Sequence, residues 1–252
     1  MAQSYFDVAV NRRFSGNLGI DIKGLSLDEA YKVQEAAANL KERAGMRRAG
    51  WKVGCTSPAI QGQLGLNQPI HAPMYRPLIH TEGKSLRRAD FLNLAIEPEL
   101  VICLGSDIPE LPSQSQGLLD AIEWVAPGIE LHNKRFFFDP PSIQELVASG
   151  GLWAGLVVGE TKAHPAGIDL AAARFTILLD GQPVAKAPGR DIMGGPLVSL
   201  LWLAQHLAQQ GRPLRKGELV IPGSPTELIS IDKPILVTVD ISGLGRVKAR
   251  FD

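Results

Sequence analysis

One run of residues sets the architecture of this chain: Leu94-Ala95-Ile96-Glu97-Pro98-Glu99-Leu100-Val101-Ile102-Cys103-Leu104. Apolar residues flank two carboxylates on both sides, a pattern typical of a buried β-strand. Because successive side chains of a strand point to opposite faces, Glu97 and Glu99 are predicted to share one face. Pro98 has no N–H to donate, which favours an edge strand or the start of a strand.

A third carboxylate, Glu130, follows on the next short apolar run, Pro127-Gly128-Ile129-Glu130-Leu131. Like charges side by side on a half-buried surface repel each other, so a cation is expected between them. Three carboxylates without a Cys or His cluster favour a hard divalent ion, Mg²⁺ or Mn²⁺. The spacing alone leaves a second interpretation open, in which Glu97 and Glu99 form the solvated face of a strand.

Composition excludes several classes of protein. The 252 residues include 26 Lys and Arg and 26 Asp and Glu, with no basic run that would favour nucleic acid. A net charge near zero limits repulsion between copies, so we expect a homo-oligomer. The start of the sequence lacks signal-peptide features, and no apolar run approaches the roughly 20 residues of a membrane helix. We therefore expect a cytoplasmic protein with no membrane partner, and interpret Cys55 and Cys103 as reduced core residues.

Secondary-structure signals predict an α+β fold with a rolled, barrel-like sheet. Ser26 and Glu29 form a capping box that opens a helix to about residue 44, and Ser57-Pro58 opens another. Asp180-Gly181 indicates a type I′ hairpin. We predict a small N-terminal helical region with the first site strand over residues 1–75, a loop over 67–77, and a β-rich core over 76–252. The predicted strands are 51–56, 94–104, 128–133, 153–158, 174–179, 183–187, 218–221, 234–241 and 246–251, and the later helices are 116–125, 142–148 and 196–210.

Two further positions carry candidate chemistry. Lys52 interrupts an apolar strand bounded by Gly50 and Gly54, where a lysine is unfavourable unless it is paired. It is either a lysine that reaches solvent from a strand edge or a cation for a substrate carboxylate. Gly223 and Ser224 lie in a tight turn after a predicted strand, which is either an ordinary turn or one that presents N–H and hydroxyl groups to an anion. The five histidines show no ligand spacing and are interpreted as surface or internally satisfied side chains, with His71 placed near a site entrance.

A set of motifs occurs in a fixed order along the chain. They are Gly50-Trp51-Lys52-Val53-Gly54-Cys55-Thr56-Ser57, Glu97-x-Glu99, Ile129-Glu130-Leu131 followed by Arg135, Gly194-Gly195-Pro196, Pro222-Gly223-Ser224 and Gly243-Leu244-Gly245. Together they resemble the fumarylacetoacetase superfamily, and within it the branch of 2-keto-4-pentenoate hydratases and 4-oxalocrotonate decarboxylases.

This resemblance implies a mixed β-roll of the fumarylacetoacetase C-terminal type. It implies that Glu97, Glu99 and Glu130 bind Mg²⁺ or Mn²⁺, which chelates a small 2-keto acid. It further implies that Lys52 acts as a catalytic residue. The residues expected to bind substrate are His71, Arg135, Gly223 and Ser224.

The chain departs from the family pattern at His132-Asn133-Lys134, where an acidic residue and Ser or Thr are usual, and at Ser230-Ile231-Asp232-Lys233. The expected activity is therefore one of several. The first is a hydratase that adds water to a short 2-hydroxydienoate and gives a 4-hydroxy-2-keto acid. The second is a decarboxylase of a 2-keto-enedioate, in which Lys134 or Arg135 binds the second carboxylate. C–C bond hydrolysis is third. The fourth, from another functional class, is a catalytically silent family member that binds a keto acid or acts as an assembly partner. A complex with a pathway enzyme is left open as a separate expectation.

Overall fold

A computed structural model describes residues 1–12, 18, 22–108 and 114–252 of the chain. The helices in these ranges are α1 (Ala2–Ala9), α2 (Leu27–Arg43), α3 (Pro58–Leu64), α4 (Ile143–Ser149) and α5 (Pro196–Gln209). The strands are β1 (Arg48–Gly54), β2 (Ile70–Tyr75), β3 (Ile79–Thr81), β4 (Ser85–Leu86), β5 (Leu94–Leu104), β6 (Ile122–Asn133), β7 (Trp153–Val158), β8 (Arg174–Leu179), β9 (Gln182–Pro188), β10 (Leu219–Ile221), β11 (Ile229–Ser230), β12 (Ile235–Ile241) and β13 (Gly245–Phe251). None of the described helices is both long and apolar enough to cross a bilayer.

Two sheets form the core, which confirms the predicted α+β fold. The larger sheet has eight strands in the order β2-β1-β10-β5-β6-β7-β3, with β11 also paired to β5. It is mixed, because β1 pairs with β10 in parallel while β5 and β6 are antiparallel. The smaller sheet has the order β4-β13-β12-β8-β9. Apolar side chains of both sheets, together with those of α5, form the main buried cluster.

The larger sheet curls. Its strands β1 and β6 are three positions apart, roughly 14 Å in a flat sheet at about 4.8 Å per strand. Side chains of a flat sheet stand nearly perpendicular to it and do not meet across that separation. Yet Lys52 Nζ on β1 lies 2.6 Å from Glu130 Oε1 on β6. The curvature therefore directs side chains from distant strands to one concave face.

Pro98 does not mark an edge strand, contrary to the expectation from its missing N–H. On one side β5 pairs along its whole length with β6. On the other side it pairs with β11 at Ala95 and Ile96 and with β10 at Ile102 and Cys103. Pro98 falls in the interruption between those two partners, where a strand tolerates a residue that cannot donate.

The N-terminal part is bound into the same sheet as the rest. The capping box of Ser26 and Glu29 is present, and Ser57 caps α3 as predicted. The predicted loop over 67–77 is wrong, because β2 lies within it, fully buried and paired with β1. The predicted helix over 116–125 is also wrong: a 3₁₀ helix ends at Ala121 and β6 begins at Ile122. A division of the chain near residue 75 stays a prediction.

Gly50 permits the closest backbone approach in β1. Its φ is 145°, and a Cβ there would lie 1.8 Å from the carbonyl oxygen of Leu219, the residue paired with it on β10. No side chain fits in that space, so the pairing of β1 with β10 requires glycine.

We expect Gly50→Ala to lower the free energy of unfolding by more than about 2 kcal/mol, because the strands must separate to admit the methyl group. Gly62→Ala is the matched control, since Gly62 lies in α3 with no atom within 4 Å of an added Cβ. Denaturant unfolding of both variants measures the difference. Equal stability of the two variants would contradict the close approach seen here.

Candidate metal centre

Three carboxylates meet on the concave face of the larger sheet. Glu97 lies directly opposite Glu130 in the β5–β6 register. Glu99 follows two residues after Glu97 and so shares its face. Glu99 and Glu130 are fully buried, whereas the Glu97 side chain is 22% exposed. The register of two strands therefore assembles the cluster.

Lys52 is the cation that faces this cluster. Its side chain is buried, and Nζ forms a 2.6 Å ion pair with Glu130 Oε1. Burial lowers the pKa of Lys52, but the carboxylates of Glu130 and Glu97 outweigh that effect and raise it above its ordinary value. Gly151 leaves room for the ammonium, since a Cβ there would lie 2.9 Å from Nζ. The lysine is therefore a charged group of the site and does not extend into solvent.

His132 also belongs to the site, and the sequence analysis missed it. Its Nε2 lies 3.0 Å from Glu97 Oε2 and 3.4 Å from Glu130 Oε2. Burial lowers the pKa of His132, but the facing carboxylates raise it overall to about 9. The signal was present in the sequence, because His132 lies two residues after Glu130 and shares its face of β6.

Glu99 is held by backbone and leaves one oxygen unused. The N–H of Gly223 donates to Glu99 Oε2 at 3.1 Å, and Oε1 has no hydrogen-bond partner among the described residues. Burial, with the nearby carboxylates of Glu130 and Glu97, raises the pKa of Glu99 well above its usual range. At Gly223, with φ 117°, a Cβ would lie 2.5 Å from Thr56 Cγ2, so glycine is required for this contact.

These residues fit a divalent cation. An unpaired buried carboxylate oxygen is unfavourable unless it binds a proton, a donor or an ion. Donor atoms of Glu97, Glu130 and His132 all lie within 4.8 Å of one another, the one such group found among the described residues. With His132 neutral and Glu99 ionised, three carboxylates facing one lysine leave formal negative charge for a metal ion to balance.

A cavity of about 640 Å³ opens above the cluster. Its polar lining includes Lys52, Glu97, His132, Lys134 and Ser224, and its apolar lining includes Val53, Ile70, Leu146 and Leu152. This volume and the mixture of charged and apolar lining residues suit a small organic molecule. Ser224 Oγ donates to the Thr226 carbonyl at 3.0 Å and lies at the wall.

Three of the four expected substrate-binding residues are not among those that line this cavity: His71, Arg135 and Gly223. Arg135 pairs with Asp139 at 3.6 Å and lines a neighbouring hollow of about 350 Å³. His71 is buried, with its ring stacked on Tyr31 and in edge contact with His206. Burial lowers the pKa of His71 to about 3, as expected of a neutral core histidine. Neither side chain is among those lining the site cavity, and a role in binding substrate stays a prediction for both.

The cysteines are both free and Cys103 is buried as expected, but Cys55 is only partly buried, so its assignment to the core was wrong. Cys55 lines the site cavity, where burial raises the pKa of its thiol to about 11. A thiol held in its neutral form is a poor nucleophile. The structure thus favours the carboxylate cluster over Cys55 as the reactive part of the cavity.

The chain is similar to known proteins over most of its length. The chain is 33% identical over 225 residues to the TodF product hydratase of Pseudomonas putida, covering 89% of this chain and 84% of that protein. It is 26% identical to a 2-keto-4-pentenoate hydratase of Paraburkholderia xenovorans, covering 100% of this chain and 93% of the relative.

The fold is also found in solved structures. The 4-oxalocrotonate decarboxylase of Pseudomonas putida G7, complexed with magnesium and adipate, superposes with a TM-score of 0.92 at 24% identity and covers 100% of this chain and 95% of its own. Fumarylpyruvate hydrolase of Pseudomonas aeruginosa, in complex with Mn²⁺ and pyruvate, gives a TM-score of 0.64 at 16% identity, covering 81% and 89%. The model of the fumarylacetoacetate (FAA) hydrolase C-terminal family matches residues 66–252, and the chain belongs to that family.

Proposed function

We propose that this chain is a metal-dependent hydratase that adds water to a short 2-hydroxydienoate, of the 2-keto-4-pentenoate type, and releases a 4-hydroxy-2-keto acid. The main observation in support of this proposal is the cluster of Glu97, Glu99 and Glu130. It adjoins a cavity that is lined by Lys52 and Glu97. The relatives named as hydratases support it, because they match over most of the chain.

In this proposal Glu97, Glu99 and Glu130 hold Mg²⁺ or Mn²⁺. A divalent ion there supplies the Lewis-acid stabilisation that an enolate of a 2-keto acid needs. The magnesium and manganese named for the two neighbouring structures support this choice of ions. The orphaned oxygen of Glu99 supports it independently of any relative.

Lys52 binds the substrate carboxylate or donates a proton. The raised pKa of its ammonium keeps it charged at neutral pH, which is unsuited to accepting a proton. Its ion pair with Glu130 fixes the position of Nζ at the floor of the cavity. The backbone N–H of Gly223 orients the Glu99 carboxylate by a hydrogen bond. Ser224 lines the cavity.

We also propose that the protein forms a homo-oligomer and works in the cytoplasm, and that it can associate with a pathway enzyme. The zero net charge of the chain supports self-association, since it leaves little long-range repulsion between copies.

The hydratase proposal is tested by ultraviolet and product assays of metal-loaded protein with 2-hydroxypenta-2,4-dienoate. We expect loss of the dienol with formation of 4-hydroxy-2-oxopentanoate. Lys52→Met should retain the metal and lose about 100-fold or more in kcat, the usual scale for a positioned acid or base. Thermal melting checks that the variant folds. Bound metal and ligand without turnover would identify a catalytically silent member of the family.

The metal assignment is tested by titration of Mn²⁺ into metal-free protein, followed by electron paramagnetic resonance. Glu99→Gln should weaken binding by roughly tenfold or more, because it replaces a charged ligand with a neutral amide. Glu145→Gln is the matched control, since Glu145 is fully buried but accepts from the N–H of Phe137 outside the cluster. Equal affinities of the two variants would remove Glu99 from the proposed ligand set.

A decarboxylase of a 2-keto-enedioate is the second candidate, and one observation favours it. Lys134 lines the site cavity, with Nζ donating to Ser230 Oγ at 2.9 Å. A cation at that wall suits a second carboxylate at the far end of a diacid. The likeness to the decarboxylase structure shows the fold and does not distinguish the two reactions.

Lys134→Met and Arg135→Met form a matched pair for this alternative. We expect Lys134→Met to lower kcat/KM for 2-oxohex-3-enedioate by about tenfold or more, as for one charge-assisted hydrogen bond, with little change for the monoacid dienol. Arg135→Met distinguishes the two cations expected to bind the second carboxylate: an unchanged kcat/KM for the diacid would exclude Arg135, which lines the neighbouring hollow. Carbon dioxide release and the dienol assay measure the two reactions. No decarboxylation by the unaltered protein would reject this alternative.

A further inference from the structure

His132 lies where a metal ligand would lie. Its Nε2 is 3.0 Å from Glu97 Oε2 and 3.4 Å from Glu130 Oε2. Adjacent donors bound at about 2.1 Å to one ion are about 3.0 Å apart in octahedral geometry and about 3.4 Å apart in tetrahedral geometry. The Nε2 nitrogen therefore lies from each carboxylate oxygen at a distance that two ligands of one ion can have, and donor atoms of all three residues lie within 4.8 Å of one another.

The backbone holds this ring in place. His132 shares its face of β6 with Glu130, and the two flanking strands pair with it at Ala95 and Trp153. The residue is only 5% exposed, so the ring has little freedom to turn towards solvent. Nε2 faces one oxygen of each carboxylate, so a single nitrogen can share an ion with both residues.

An imidazole changes which ions a carboxylate site selects. Oxygen-only sites suit Mg²⁺, whereas imidazole nitrogen suits Fe²⁺, Co²⁺, Ni²⁺ and Zn²⁺, which also bind more tightly in general. The unpaired Oε1 of the buried Glu99 remains available as an oxygen ligand of the same centre.

We propose that His132 ligates the metal through Nε2, so that the centre is a mixed nitrogen–oxygen site that selects borderline transition ions over Mg²⁺. The inference rests on the metal centre of the proposed function and refines which ion that centre takes. It assigns a role to a residue at which this chain departs from the sequence pattern of its family.

The test is electron spin echo envelope modulation of the Mn²⁺-loaded protein, which detects nitrogen bound to the ion. We expect a ¹⁴N coupling in the unaltered chain and its loss in His132→Gln. His164→Gln is the matched control, because His164 is exposed and its Nδ1 accepts from the backbone of Ala166. The control should keep the coupling.

Calorimetric titration of the same three proteins with Co²⁺ and with Mg²⁺ provides a second readout. We expect His132→Gln to weaken Co²⁺ binding by about tenfold or more while Mg²⁺ affinity changes by less than about threefold. Metal binding without ¹⁴N coupling, or an equal loss of Co²⁺ and Mg²⁺ affinity in His132→Gln, would overturn the role of His132. Either result would still be compatible with a metal centre made of carboxylates. No binding of any of these ions would overturn the metal centre itself, and with it the proposed function.

Discussion

The antiparallel pairing of β5 with β6 is the constraint on which the site depends. It places Glu97 opposite Glu130 and, through the two-residue period of each strand, adds Glu99 and His132 to the same face. A shift of one residue would send these side chains to the other face of the sheet. The length of the pairing, from Leu94 to Leu104 on β5, makes such a shift unfavourable because every buried apolar residue would move with it.

Electrostatics then determines what else the site must contain. Buried carboxylates in contact with one another are unfavourable unless cations and donors face them. The structure supplies Lys52 from β1, the N–H of Gly223 from the turn after β10, and the ring of His132 from β6. These groups come from distant parts of the chain, so the curl of the sheet is what brings the charges together. The metal ion that we propose for this site would balance the charge that the side chains leave open.

Much of the fold was predictable because local pattern and tertiary environment agree. The bounds of β5, β7 and β8 follow from apolar runs bounded by turn residues, and the cap of α2 follows from Ser26 and Glu29. The two wrong predictions, the loop over 67–77 and the helix over 116–125, have a common cause, because pairing with a distant strand overrides the local pattern in both. Pro73 and its neighbours suggest a loop, but β2 lies at the edge of the sheet, where a proline is tolerated. Residues from Ile122 onwards form a strand because β5 offers them a partner.

By itself the sequence determined that Glu97 and Glu99 share a face, that Glu130 lies on the neighbouring strand, and that Lys52 needs a partner, because strand period and the unfavourable burial of charge are local properties. Only the tertiary structure decided which groups meet. It brought Lys52 to Glu130, drew His132 into the cluster, put Lys134 at the cavity wall and left Arg135 outside it. Those contacts depend on the register of two strands and on the curvature of a sheet, and both are set by the packing of the whole chain.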